Sequence, residues 1–496
     1  MTSRFIGFDL GAESGRCVVG TLTDGRLTLD EVHRFTTHTV RFRGGFHWDI
    51  LAIGEEIVRG LACAREAHGP SFDGIGVDTW GVDYCLVDGE GRLLGYPYHY
   101  RDDRTDAIMP EAFAVVPKQE LYKKTGIQFM QFNTVFQLFA ETKRRNNFLD
   151  TAGAMLLVPD FFNFMLSGVL KSEYTIASTT GLIDPERRAW SEELIERFGF
   201  GMNIFPPIVE PGTVLGPLLP DIAARTGLNP GIPVIATACH DTASAVVSVP
   251  ATGGSWAFLS SGTWSLMGVE LRKPVRTAAS LVYNFTNEGG VDGTIRFLKN
   301  IAGLWPVQEC RRSWMEEKKE FSYAELSRLA REEGFARAWV DLADPRFLKA
   351  GSMPEKIRAF VRETGREPEG TPGWTVRVAL ESLAFSYRKT IREIEEVTGL
   401  AIDRLHAVGG GIQNELLAQF AADATGLTVH AGPVEGTIVG NIGVQSVARG
   451  IVSGYPAWRS IVAGSFALKS YAPRDTAYFD ENEAAYARVT ARAPAP

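Results

Sequence analysis

The chain opens on two β-rich apolar runs, Phe5 to Leu10 and Cys17 to Leu22, around small residues from Gly11 to Gly15. Such runs, bounded by glycine, predict a hairpin whose loop brings backbone close to something outside it. Next, Ile50, Gly54, Ile57, Val58, Leu61 and Ala62 recur with the helical period, so a helix is expected there. A strand at Gly74 to Asp78, a turn at Trp80-Gly81 and a strand through Tyr84 to Val87 follow. Near the midpoint the same grammar returns as SWAFL, a loop of small hydroxyl residues from Ser260 to Thr263, and WSLMGVEL. Later Val376, Leu380, Leu383, Tyr387, Ile391 and Ile394 mark one face of a long helix. Leu405 to Val408 then reads as a strand ending in Gly409-Gly410-Gly411. Each half repeats hairpin, helix and strand with a polar or glycine turn, which predicts a duplicated two-domain α/β architecture. The turn-rich stretch Pro250 to Gly254 sets the expected domains at 1–249 and 250–496. The charged stretch Arg311 to Glu333 is expected to be a solvated helix face, and the ARAPAP tail to fray.

Composition narrows the function classes. With 496 residues, 45% hydrophobic and 22% charged, the chain is long enough for large cores without metal or disulfide staples. Lys and Arg number 51 against 59 Asp and Glu, a net charge of −8 that disfavours nucleic-acid and membrane-surface partners. Five cysteines without a CxxC pair point to a reducing compartment rather than a zinc site or disulfide framework. The first residues reach Asp9 too soon for a signal-peptide core, and no apolar run of about 18 residues occurs. A cytoplasmic protein is expected.

The usual nucleotide loops are missing: there is no GxxxxGK[ST], no GxGxxG and no HExxH. What remains is a pair of hairpin loops able to point several backbone N–H groups at a polyphosphate. Arg16 can add charge to the first, and Asp9 can hold a hydrated Mg²⁺, which needs only one or two carboxylates beside phosphate oxygens. Either loop taken alone also reads as an ordinary β-turn. The glycine run before Ile412-Gln413-Asn414 lets a flat ring lie close to backbone, as for adenine, or simply turns a strand into a helix. Asp241 follows the apolar strand Ile232 to Ala236 and precedes a helical run, Ala243 to Val249. It is either the helix N-cap or a catalytic base, and a helix N-terminus would keep its pKa low. His240 reads as a polyol-binding group or as a satisfied histidine, and Trp80 and Tyr84 as core or as a sugar platform.

Taken together, the motifs resemble the FGGY carbohydrate kinases along nearly the whole chain. They are DLGAESGR (9–16), GVDTWGVDYCLVD (76–88), YRDDRT (100–105), HDTASAV (240–246), SSGTWSLMG (260–268), TNEGG (286–290), LKNIAGLW (298–305), GGGIQN (409–414) and AGPVEGTIVGNIG (431–443). The resemblance implies an actin-like, ribonuclease-H-like fold in each half, with ATP and sugar meeting in a cleft. It implies ATP-phosphate contacts from Ala12, Glu13, Ser14, Gly15 and Arg16, a second phosphate loop at Thr263, and adenosine at Gly410 and Gly411. Gln308 is similar to a position contributing to the ATP site. Gly81, His240, Asp241, Thr242 and Asn300 match the sugar positions, with Asp241 as the catalytic base, and Trp80 is a further candidate for the sugar. Two departures stand out: Glu13 puts a carboxylate in a phosphate loop, and Cys239 replaces the glycine usual before the HDT motif. The implied reaction is MgATP-dependent phosphorylation of L-rhamnulose at its 1-hydroxyl. The alternatives are an L-fuculose or L-xylulose kinase and, in another class, an actin-like ATPase that phosphorylates no sugar.

Overall fold

A computed structural model of the chain describes residues 2–144 and 147–491. The tail expected to fray lies beyond 491, outside the described residues, apart from Ala491 itself. Two compact units form, and they do not follow a single cut near residue 250. The first takes Met1–Thr252, Glu270–Phe297 and Gly436–Phe466; the second takes Gly253–Val269, Leu298–Glu435 and Ala467–Pro496.

The first sheet is built on the expected hairpin, Thr2–Leu10 against Ser14–Thr23, extended by Arg26–Thr36 in antiparallel register. On the other side of Thr2–Leu10 lie Gly74–Thr79 and then Pro233–Ala236, both parallel, with Thr213–Pro217 as an antiparallel edge. The second sheet repeats this order around its own hairpin, Trp256–Ser261 and Trp264–Leu271, with Ile295–Ala302 on one side. Arg404–Val408 and Thr428–Ala431 are parallel on the other side, and Lys469–Tyr471 is the antiparallel edge. In both sheets the hairpin is extended by a further strand on one side and followed by two parallel strands and an antiparallel edge on the other, which is the duplication that the sequence pattern predicts; the second sheet adds Thr286–Gly289 beyond Ile295–Ala302.

Helices carry the chain between parallel strands, which no tight turn can join. Ile50–His68 buries Ile50, Ile53, Ile57, Val58, Leu61 and Ala64, each larger aliphatic contributing about 1.5–3 kcal/mol. Asp49 caps its start by accepting the Ala52 N–H at 3.2 Å. In the second unit Pro372–Thr398 starts on a Thr371 cap with Pro372 in the first turn, and stops at Gly399.

Two features of the first unit position the site. The carboxyl ends of its parallel strands share one edge, where Asp9 and Asp78 are register partners and Thr79 bridges to His240. The helix Asp241–Val247 packs on Gly436–Ala448 at Gly440, where a Cβ would sit 1.7 Å from the Ser244 carbonyl oxygen. Any side chain at 440 would push the Asp241 helix away from its place.

Candidate active site

The carboxyl groups of Asp9, Asp78 and Asp241 converge at this sheet edge, where the Asp9 charge helps to raise the pKa of the other two. Asp78 is fully buried; its Oδ2 accepts from Asn441 Nδ2 at 2.6 Å, while its Oδ1 has no hydrogen-bond partner among the described residues. Burial first, and then the Asp9 carboxylate, hold Asp78 well above the usual carboxylate range. Asp9 is engaged through Oδ2 by Arg16, with Nε at 3.0 Å and Nη2 at 2.6 Å. The Arg16 charge therefore balances Asp9. Among the described residues, no group of three or more His, Cys, Asp or Glu is arranged to hold a metal, so any ion here depends on carboxylate, water and phosphate oxygens.

Asp241 is not the helix cap. His240 occupies that position and Asp241 is the first helical residue, its Oδ1 accepting from the Thr242 N–H and, at 3.0 Å, the Thr242 hydroxyl. The Thr242 side chain, itself buried, thus orients the Asp241 carboxylate. The helix terminus does not keep the Asp241 pKa low either: burial pushes it up, His240 opposes the rise and Asp9 adds to it. A third of the Asp241 side chain still faces open space, which a base that meets a ligand requires.

The segment before Asp241 is held from behind. Fully buried Glu173 accepts the Cys239 N–H at 3.1 Å together with the Thr175 hydroxyl, and Thr175 Oγ1 accepts the His240 N–H at 3.2 Å. Burial pushes Glu173 up to about 7. Cys239 is completely enclosed, with its thiol near Asn163, so the departure from glycine is absorbed by packing.

Across from His240 lies the Trp80-Gly81-Val82 turn. A Cβ on Gly81 would meet His240 Nε2 and Thr179 Cγ2, each at 3.4 Å, so the missing side chain leaves space in front of the imidazole. Val82 holds φ at 70°, a costly conformation for a β-branched residue, by roughly 1–3 kcal/mol. It is pinned on both sides: its N–H donates to Thr179 Oγ1, and its carbonyl accepts from Thr134 and Gln137. The Trp80 side chain, a candidate for the sugar, faces inward. Its ring is buried against Trp48, centroids 4.1 Å apart, and its indole N–H donates to Asp83. Tyr84 is likewise core. Buried Asp83 also accepts from Trp48 Nε1, Tyr100 N and Gln137 Nε2, and burial raises its pKa to about 6.

The first hairpin loop is closed by the Gly11 N–H on Ser14 O and braced by the Thr37 hydroxyl on Gly11 O. Glu13 and Ser14 are exposed, Ala12 and Arg16 half-buried, and Gly15 lies flat where a Cβ would strike Phe35. In the second unit, the Gly262 and Thr263 carbonyls accept the Leu304 and Trp305 N–H groups, so the second loop sits on the start of the helix Trp305–Glu316. Gln308, on that helix, has a buried Oε1 without a hydrogen-bond partner among the described residues. Asn300 is half-buried on Ile295–Ala302. Of the three glycines, Gly409 needs its φ of 91°, and Gly411 would strike Ser261 Oγ at 2.2 Å. Gly410 alone faces open space.

Comparison with known proteins sets these features in a lineage. The model of the FGGY carbohydrate kinase N-terminal domain matches residues 4–248, and that of the C-terminal domain matches 257–449. The chain belongs to the FGGY family of carbohydrate kinases. It is an ATP-dependent carbohydrate kinase with a two-domain α/β fold. It is 42% identical to a rhamnulokinase of Bacteroides thetaiotaomicron over 97% of this chain and 98% of that protein. It is also 42% identical to a rhamnulokinase of Oceanobacillus iheyensis, over 94% and 97% respectively. Among solved structures, gluconate kinase from Lactobacillus acidophilus aligns with a TM-score of 0.81 at 14% identity, over 99% of this chain and 98% of that one. Plasmodium falciparum glycerol kinase with ADP aligns at 0.79 and 17% identity, over 99% of both chains. These structures share the fold.

Sequence reasoning missed several residues of the site. Asp78, Glu288, Asn441 and Asp83 lie inside motifs already quoted, but nothing in the spacing sets them apart from their neighbours. Glu173, Thr179 and Arg296 carry no local signal, because their roles come from segments distant in the chain.

Proposed function

We propose that the protein transfers the γ-phosphoryl group of ATP to the 1-hydroxyl of L-rhamnulose, giving L-rhamnulose 1-phosphate and ADP, in a cytoplasmic setting. The observation that carries this reading is the near-full-length identity to rhamnulokinases. Its chemistry fits the edge where Asp241, His240 and the space before Gly81 meet. Asp241 accepts the hydroxyl proton as that oxygen forms its bond to the γ-phosphorus and the bond to the β-phosphate oxygen breaks. A desolvated carboxylate with a raised pKa is a better proton acceptor than a solvated one. Backbone N–H groups at Ala12 to Arg16 serve the phosphates, as does the loop at Thr263; Gly410, with Gly411 behind it and Gln308, serves the adenosine. Such positioning and charge stabilisation supply most of the catalysis in phosphoryl transfer. Mg²⁺ fits beside the Asp9 carboxylate, with Asp9 its holder, and would neutralise phosphate charge there. His240 offers a ring nitrogen to a sugar oxygen, and Asn300 is assigned to the sugar by resemblance.

The test is kcat/KM under saturating MgATP for L-rhamnulose, L-fuculose and L-xylulose, read by coupled ADP release. A wrongly oriented hydroxyl leaves a buried polar group unpaired at about 1–3 kcal/mol, on the order of 5- to 150-fold in kcat/KM. L-rhamnulose is expected to lead by at least that factor. Equal values, or a lead for another ketose, would refute the substrate while leaving the ketose-kinase chemistry intact.

A further inference from the structure

Behind His240 sits an ion pair that the reaction as described does not use. Arg296, on Ile295–Ala302, has no solvent exposure, and Glu288, on Thr286–Gly289, keeps only 6% of its side-chain surface open. Arg296 Nη2 lies 3.1 Å from Glu288 Oε2 and 3.1 Å from His240 Nδ1, while Nε donates to the Gly289 carbonyl at 2.8 Å. We propose that Arg296 and Glu288 are positioning residues for phosphoryl transfer: Arg296 donates to His240 Nδ1, fixing the imidazole as its Nε2–H tautomer. That hydrogen then faces the Asp241 carboxylate and the space reserved for the sugar.

The tautomer follows from donor and acceptor inventory. A guanidinium has only hydrogens to offer and stays protonated in proteins, so a ring nitrogen that meets it must present its lone pair. The competing arrangement gives an Nδ1–H to Glu288 Oε2, 3.2 Å away. It fails on geometry, because among the described residues that oxygen receives no hydrogen bond, and the Arg296 hydrogen would then oppose the imidazole hydrogen. With Nδ1 as acceptor, the single proton of the neutral ring sits on Nε2, 3.4 Å from Asp241 Oδ1. The same Nε2 borders the gap left by the missing Gly81 side chain.

Glu288 explains how a full cation is tolerated there. An uncompensated buried guanidinium is strongly destabilising. Burial pushes the Glu288 carboxyl up, but the group is held below the usual carboxylate range, with the Arg296 charge the leading influence against burial. The pair is therefore close to neutral as a unit. It orients His240 without adding net positive charge beside Asp241, which would weaken that carboxylate as a base. The pieces come from three chain segments, and the Thr175 hydroxyl on the His240 N–H fixes the backbone end of the same residue.

The catalytic half of this inference rests on the kinase reading above; the tautomer half does not. The first measurement is the ¹⁵N spectrum of histidine-labelled, ligand-free enzyme at pH 7, with His240 assigned by its loss in His240→Gln. A bare Nδ1 and a protonated Nε2 are expected; an Nδ1–H ring or an imidazolium overturns the proposal without any test variant having to fold. Arg296→Met is expected to move the proton to Nδ1, or to add a second one, and to lower kcat by about 10- to 100-fold as the imidazole loses its aim. The ATP KM should stay unchanged. Arg296→Lys, which keeps a charged donor, should restore the Nε2–H ring and most of the rate. An Arg296→Met enzyme that folds with the wild-type tautomer and wild-type kcat also refutes the assignment. Absence of activity on every ketose, with the expected tautomer in the spectrum, would instead count against the substrate reading.

Discussion

Gly410 and Gly411 are neighbours in sequence, yet the structure assigns them opposite vulnerabilities. A Cβ built on Gly410 has no heavy atom within 4 Å, and the backbone there holds no left-handed φ. A Cβ on Gly411 would lie 2.2 Å from Ser261 Oγ and 2.8 Å from the Ser261 carbonyl oxygen. The hydroxyl can rotate away, but the carbonyl belongs to the end of the strand Trp256–Ser261, which would have to move. Gly410→Val should therefore fold normally. It should be slightly favoured through the unfolded state, since replacing glycine at a compatible position stabilises by about 0.4–1 kcal/mol. If adenosine lies over Gly410, the new side chain fills space the ligand needs. Overpacking of that size costs about 1–3 kcal/mol, on the order of 5- to 150-fold in the ATP KM. The ketose KM should hardly change. Gly411→Ala should show the reverse balance, losing about 1–3 kcal/mol of stability as the strand end is pushed. The assay is initial rate against ATP at saturating ketose, beside a thermal melt of each variant. A folded Gly410→Val enzyme with an unchanged ATP KM refutes the adenosine assignment. A Gly411→Ala enzyme as stable as wild type refutes the packing argument.

Asp241→Asn keeps the oxygen that Thr242 orients but cannot take a proton, so turnover should fall by roughly two to four orders of magnitude, with ATP affinity and stability retained. Near-wild-type turnover would show that the residue only shapes the turn. Asp83→Asn tests the buried hub behind Trp80. The Asp83 pKa rises from 3.8 to about 6 on folding, so the folded state binds its proton more tightly and loses stability as pH climbs through that window. The cost, at most about 3 kcal/mol, is present in full above pH 6. Urea denaturation of both proteins at pH 4 and pH 7 should find Asn gaining relative to Asp at the higher pH; an equal difference at the two pH values would exclude a raised pKa.

Apolar periodicity was enough to read both hairpins, the helix Ile50–His68, the long helix Pro372–Thr398 and the glycine turn after Val408. Those features follow from local patterns of one or two side-chain faces, and duplication of the pattern carried the architecture. The HDT and SSGT motifs led to Asp241 and Thr263 as candidates because their neighbours in sequence are also their neighbours in space. Electrostatic environment was not legible in the same way. The Asp241 pKa rises because burial and Asp9, distant in the chain but at the same sheet edge, outweigh His240, whereas the sequence shows only a helix start. Trp80 turned inward because Trp48, from a distant segment, stacks on its ring while nearby Asp83 takes its N–H. The Arg296–Glu288–His240 cluster exists only when strands at 286–289 and 295–302 are set beside the loop at 240. Burial and hydrogen-bond direction are properties of distances across the fold, and a linear pattern of polar and apolar residues does not encode them.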